Sequence, residues 1–229
     1  MGEAMILVGR NLSPFVRRTS VVLRHLGLKY EQKMLSTADD LPDILKRNPV
    51  GRVPALILDD GETLIDSGAI IDHLVEAHDG RQQLLPASGA ARRAVLRTTA
   101  LAHGVMEKSV SSSYERNRRP AEKVYREWVD RCDRQTESGL QALEVLAAAT
   151  AGQWLHGAEI TLADITAVVA HDFVSASAPD VMERNSLPAL AALSAKANSM
   201  APFAETCPLE AGWDHSSALS ASAPPITCD

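Results

Sequence analysis

The clearest local signal in the chain, and the one that most constrains its fold, is a pair of short apolar runs around an Asp-Gly step. Ala55-Leu56-Ile57-Leu58 and Thr63-Leu64-Ile65 flank Asp59-Asp60-Gly61-Glu62. Strand-length apolar runs on either side of such a step read as a tight antiparallel hairpin, because the turn needs residues that tolerate positive φ. Upstream, Met5-Ile6-Leu7-Val8 has the length and apolar continuity of a buried strand. A break follows at Gly9 to Leu12. Ser13-Pro14 then marks a helix start, with Ser13 as N-cap and Pro14 at the first helical position. Phe15, Thr19, Val22 and Leu26 share a face at helical spacing, and Gly27 is a C-terminal stop. Tyr30 to Leu35 is a weaker strand. Leu41 to Lys46 is a short helix that must end before Asn48-Pro49, since a residue preceding proline avoids helical angles. Ser67 can cap the next helix, whose inner face carries Ile70, Ile71, Leu74 and Val75. The order strand, helix, strand, helix, strand, strand, helix predicts a small sheet with helices packed on it, an α/β domain over residues 1–80.

Residues 81–89, with Pro86 inside, read as a linker. Beyond it the β-branched alternation disappears. Ala90 to Ser113 and Ala121 to Ala149 are long helical segments, and Val124, Trp128 and Cys132 fall on one face of the second. Trp154-Leu155-His156-Gly157 interrupts them. The next helix has a full start signal. Thr161 stands at the N-cap, Asp164 at the third helical position as a variant of the capping box, and Ile160 and Ile165 at hydrophobic-staple spacing. Such a cap contributes about 1 kcal/mol, and locally it marks no more than a well-capped core helix. Leu187 to Met200 forms the last helix of an all-helical domain over residues 90–209. Residues 210–229, rich in Ser, Ala and Pro, are expected to be disordered.

Composition excludes several classes. A chain of 229 residues can bury a sizeable core, and 45% apolar with 23% charged residues is ordinary for a globular protein. The net charge of -6 argues against a nucleic-acid-binding surface. No run has the length to span a bilayer, and MGEAMILVGRN lacks the basic segment and long apolar core of a secretory signal. Cys132, Cys207 and Cys228 are far apart and odd in number, with neither metal-ligand spacing nor an evident disulfide framework, which fits a reducing, cytoplasmic setting. The seven histidines are scattered without ligand spacing, so no metal is expected.

Together the motifs resemble the cytosolic glutathione S-transferases over roughly residues 5 to 208. Ser13-Pro14-Phe15-Val16 resembles the active-site turn. Asn48-Pro49-Val50-Gly51-Arg52-Val53-Pro54-Ala55-Leu56 resembles the family's Asn-Pro-x-Gly-x-Val-Pro-x-Leu segment. Asp66-Ser67-Gly68-Ala69-Ile70 resembles its Glu/Asp-Ser-x-Ala-Ile motif, and Gly152 to Asp164 the start of its sixth helix. The resemblance implies a thioredoxin-like, glutathione-binding domain with a mixed four-stranded sheet, followed by an all-α helical bundle, and a homodimer. It is closest to bacterial members that carry Ser-Pro-Phe where omega-class relatives have Cys-Pro-Phe. With Ser13 in place of that cysteine, thiol transfer through an enzyme cysteine is not expected.

The resemblance also implies the chemistry. A free thiol has a pKa of about 8.5, so little of glutathione is thiolate at pH 7. Lowering it by two units takes about 2.7 kcal/mol of differential stabilisation. Ser13 can supply part of this by a hydroxyl hydrogen bond to the sulfur, helped by the helix N-terminus at Pro14 and Phe15. Its other reading is N-cap alone, and Asn11 competes for the sulfur at the same turn. Tyr30 and Tyr114 are further candidates, although neither stands where the family's catalytic tyrosine would. Val53-Pro54 would be cis, with Val53 presenting its main chain to the cysteinyl part of the tripeptide. Asp66 and Ser67 would take the γ-glutamyl ammonium and carboxylate, or serve only as solvated acid and cap. Arg52 would meet the glycyl carboxylate or stand as a surface charge. A basic residue that omega relatives place before the Asn-Pro segment is Asp40 here. For a second, small electrophilic substrate, a pocket between the domains would use Asn11, Val105, Met106 and Tyr114, unless the helical three are core. The run Arg116-Asn117-Arg118-Arg119 would bias it toward anions or form a solvated helix end. Conjugation, dehalogenation and peroxide reduction are the reactions implied. The alternative is a non-catalytic binding or scaffold protein of the same fold.

Overall fold

The computed structural model describes residues 4–208. The expected disorder of residues 210–229 lies outside the described residues.

The chain divides into two compact units, one formed by residues up to Leu84 together with the segment from Met200, the other by Leu85–Ser199. In the first unit, strands β1 (Met5–Val8), β2 (Tyr30–Lys33), β3 (Ala55–Ile57) and β4 (Thr63–Ile65) form one sheet in the order β2-β1-β3-β4. β1 pairs parallel with β2 and antiparallel with β3, with Leu7 opposite Leu56. Both leucines are buried, so the centre of the sheet is the centre of the core. The hairpin of β3 and β4 closes through Leu58 N–H to the Glu62 carbonyl at 2.8 Å, and Gly61 supplies the positive φ of 89° that the turn requires.

Helices α1 (Pro14–His25) and α3 (Ser67–His78) pack together, burying Val16, Val21, Val22 and Leu23 from one and Ile70, Ile71 and Leu74 from the other. α1 ends in a Schellman arrangement. Gly27 adopts φ 70°, and Leu28 N–H reaches back to the Leu23 carbonyl at 2.9 Å. A short α2 (Leu41–Leu45) precedes the Asn48-Pro49 segment, as the proline rule requires. This is the thioredoxin-like arrangement that the resemblance implies. One detail differs. The N-cap of α3 is Asp66, whose Oδ1 accepts Gly68 N–H at 2.7 Å, and Ser67 is the first residue of the helix.

The second unit is helical: α4 (Gly89–Arg118), a 3-10 turn (Ala121–Lys123), α5 (Arg126–Ala148), α6 (Leu162–Ser177), α7 (Pro179–Glu183) and α8 (Pro188–Asn198). α6 is buried along most of its length and packs against α4, α7 and α8. Its start is held by the Asp164 carboxylate, which accepts Thr161 N–H at 2.8 Å, the Thr161 hydroxyl at 2.7 Å and Leu155 N–H at 2.7 Å. The capping signal is thus also an anchor for the loop before the helix. α4 and α5 approach closely at Gly139, where an added Cβ would lie 2.4 Å from Val105 Cγ2.

Three boundaries depart from the sequence reading. α4 runs past Ser113 to Arg118, with Ser111 donating back to the Glu107 carbonyl of its own helix and Ser112 donating to Asp133 of α5. Val124 lies before α5 and so does not share its face with Trp128 and Cys132. After the expected last helix, α8, a further short helix α9 (Ala201–Ala204) follows and packs on α1, with Phe203 fully buried and Glu205 paired with Arg24. Cys132 is a buried free thiol, whereas Cys207 is disulfide-bonded, a bond that the odd, scattered cysteines did not announce. Among the described residues no helix is long and apolar enough to cross a membrane.

Candidate functional site

Phe15, Arg52, Val53, Pro54, Asp66 and Ser67 line one cavity, together with Asn48, Val50 and Ile65. Each arrives by a local device. Asn48 is buried and folds the loop before β3, donating from Nδ2 to the Arg52 carbonyl at 2.9 Å and accepting Val50 N–H on Oδ1 at 3.0 Å. Gly51 takes φ 69° within that loop. The loop delivers Val53 and Pro54 across a cis peptide bond, as the resemblance implies. Arg52 lies over the Phe15 ring with 5.7 Å from its guanidinium carbon to the ring centroid, so the start of α1 and the loop before β3 form adjoining walls.

The opposite wall is the start of α3. Asp66 sits at φ 70°, a region that costs a non-glycine residue on the order of 1–3 kcal/mol. That backbone turns its carboxylate onto Gly68 N–H while leaving the residue exposed. Ser67 is 1% exposed, and its Oγ has no hydrogen-bond partner among the described residues. A buried hydroxyl of that kind is uncommon unless a partner is supplied. Below this wall, burial pushes the Arg18 guanidinium down to about 10, and the Asp66 charge pulls it back up.

Ser13 is the N-cap of α1 by position, but its side chain makes no cap hydrogen bond. The turn before it is closed instead by Ser13 N–H to the Arg10 carbonyl at 3.0 Å. Asn11 is buried at the same turn, and its Oδ1 accepts from Gln32 Nε2 at 2.9 Å. Neither Ser13 nor Asn11 lines the cavity named above. Tyr30 shares a 2.6 Å hydrogen bond with Ser20 and is used within the fold.

Of the residues expected to meet a second substrate, Val105 and Met106 are buried, 2% and 0% exposed, with Val105 packed at Gly139. Tyr114 is 44% exposed with Arg118 over its ring. The basic run is partly neutralised where it stands. Arg116 pairs with the buried Asp133 and donates to the Ser112 hydroxyl at 2.6 Å, and Arg119 pairs with Glu115 at 2.7 Å. Sequence reasoning gave no role to Asn48 or Gln32. Asn48 was visible within its motif, whereas the reach of Gln32 from β2 to Asn11 has no sequence signal. Among the described residues no group of His, Cys, Asp and Glu side chains is arranged to hold a metal ion.

The thioredoxin-like sheet, the loop ending in Val53-Pro54 and the Asp66-Ser67 helix start define a class of protein. The family model for the glutathione S-transferase N-terminal domain matches residues 7–82. The uncharacterized GST-like protein YibF of Escherichia coli is 32% identical over 62% of this chain and 68% of its own length. The maleylacetoacetate isomerase of Rhizobium meliloti is 34% identical over 66% of this chain and 72% of its own. Among solved structures, a glutathione transferase family member from Pseudomonas fluorescens Pf-5 with bound glutathione is 30% identical, covers 90% of this chain and 99% of its own, and superposes with a TM-score of 0.78. The chain belongs to the glutathione S-transferase superfamily.

Proposed function

We propose that the chain is a glutathione transferase of the bacterial Ser-Pro-Phe type. It binds glutathione in the cavity between the Phe15-Arg52 wall and the Asp66-Ser67 helix start, and it stabilises the thiolate for attack on a small electrophile. The observation that carries this reading is the Ser67 hydroxyl, buried without a partner in a cavity whose other groups match a tripeptide. Asp66 matches the γ-glutamyl ammonium. The Ser67 hydroxyl and N–H, at a helix start, match its carboxylate. The Val53 main chain matches the cysteinyl peptide group, and Arg52 the glycyl carboxylate. Ser13 is the donor to the sulfur, since its hydroxyl is not engaged as a helix cap. Serine is not the nucleophile in this scheme; it lowers the energy of one.

The reaction is conjugation, dehalogenation or peroxide reduction. The similarity to a maleylacetoacetate isomerase supports a second possibility, glutathione-dependent cis–trans isomerisation. All of these begin from the same thiolate. The exposed Tyr114 is the candidate for contact with the second substrate. The protein works in the cytoplasm as a homodimer, which sedimentation at micromolar concentration tests directly. A turnover assay with glutathione on an activated aryl halide, a haloalkane, an organic peroxide and a cis-dienone tests the function. Turnover on at least one, absent without glutathione, is the expected result. Binding of glutathione with no turnover on any of them would favour the scaffold reading.

A further inference from the structure

Gln32 on β2 donates from Nε2 to two acceptors, the Gly9 carbonyl and Asn11 Oδ1, each at 2.9 Å. The first bond fixes the polarity of the second. A main-chain carbonyl only accepts, so the nitrogen end of Gln32 must face Gly9. The same nitrogen meets Asn11, so the oxygen of Asn11 must face Gln32. An amide whose oxygen is held on one side presents its NH2 on the other. Among the described residues that NH2 has no hydrogen-bond partner, although Asn11 is only 7% exposed. Gly9 itself stands in a tight place that only glycine fits. It adopts φ 128°, and a Cβ there would lie 2.5 Å from Val16 Cγ2 and 3.0 Å from Val53 Cβ.

We propose that Gln32 is a positioning residue: by holding the oxygen of Asn11, it directs the Asn11 amide N–H to the glutathione sulfur as a second donor beside the Ser13 hydroxyl. The proposal rests on the glutathione reading above. Gln32 sets the sign of the Asn11 contribution. With the amide reversed, an oxygen would face the thiolate and raise the thiol pKa.

The test is a double-mutant cycle in the full chain, read as the thiolate absorbance of bound glutathione against pH. Asn11→Ala should raise the pKa of the bound thiol by about one to two units, the size of one net hydrogen bond to a charged group. Gln32→Met, which keeps length and removes the donor, should raise it by a similar amount. The double variant should lie no higher than Asn11→Ala alone. Gln32→Glu, an acceptor that draws the Asn11 NH2 toward itself, should raise the pKa at least as far as Gln32→Met. In each variant kcat should fall more than KM rises. An unchanged pKa in Gln32→Met, or an equal rise when Asn11 is already alanine, would overturn the proposal. Failure of the wild-type chain to bind millimolar glutathione would instead overturn the reading it rests on. The orientation of Asn11 is testable even then. Side-chain amide NMR of the unliganded protein should show the Asn11 NH2 signals move in Gln32→Met, and unmoved signals would contradict it.

Discussion

Ser13 shows how one residue can hold a structural position without performing the structural task. It stands at the N-cap of α1, but its hydroxyl is not spent on the first turn. The hydroxyl and the positive end of the helix are therefore both offered to an anion at this turn. Ser13→Ala should raise the pKa of bound glutathione by about one to two units and lower turnover at neutral pH, with little change in the dissociation constant. It should also cost much less stability than the roughly 1 kcal/mol of a lost N-cap. A thermal melt separates the two roles. A clear fall in melting temperature with unchanged thiolate absorbance would return Ser13 to the role of cap. Asp66 is the converse case. It both caps α3 through Gly68 and stands in the cavity, so its substitution should affect both stability and binding.

At the scale of elements, close approach decides the helical unit. Gly139 lets α5 reach Val105 of α4, and a Cβ would lie 2.4 Å from the valine methyl. Gly139→Ala should therefore destabilise by about 1–3 kcal/mol, despite the better helix propensity of alanine. Chemical denaturation measures it, and a stabilised variant would show that the helices slide apart without loss. This contact also shows where sequence reading stops. The Asp-Gly hairpin and the Thr161–Asp164 cap were legible because each is written within a few consecutive residues. The Asp66 cap was misassigned to Ser67, since a positive φ at an aspartate leaves no mark in the sequence. α7 and α9, each about one turn and opened by proline, are too short for periodicity to register. Val105 and Met106 fall on an apolar stripe that serves core and pocket equally well, and the packing of α4 buries both. The cavity-lining residues are legible through their motifs, while the Gln32–Asn11 pair joins residues whose proximity depends on strand pairing.

For the molecule as a whole, two histidines give stability a pH dependence of definite sign. Burial pushes the His25 imidazole below its ordinary value, partly opposed by Asp79. Burial does the same to His156, opposed by Asp164 and reinforced by Arg97. With folded values below unfolded ones, the unfolded chain binds more protons as pH falls through about 6.5, so stability is full above that pH and declines below it. The melting temperature should fall between about pH 7.5 and 5.5, and His25→Gln with His156→Gln should flatten the slope. An unaltered slope would remove both histidines from the account. The central claim, a tripeptide site at Asp66-Ser67 and Val53-Pro54, is tested most directly by calorimetric titration of glutathione into the wild-type chain and Asp66→Ala. The account predicts saturable binding by the wild type and a dissociation constant raised by about tenfold or more in the variant, the loss of an ion-paired ammonium. No heat of binding at millimolar glutathione, or equal affinity in the two proteins, would contradict it.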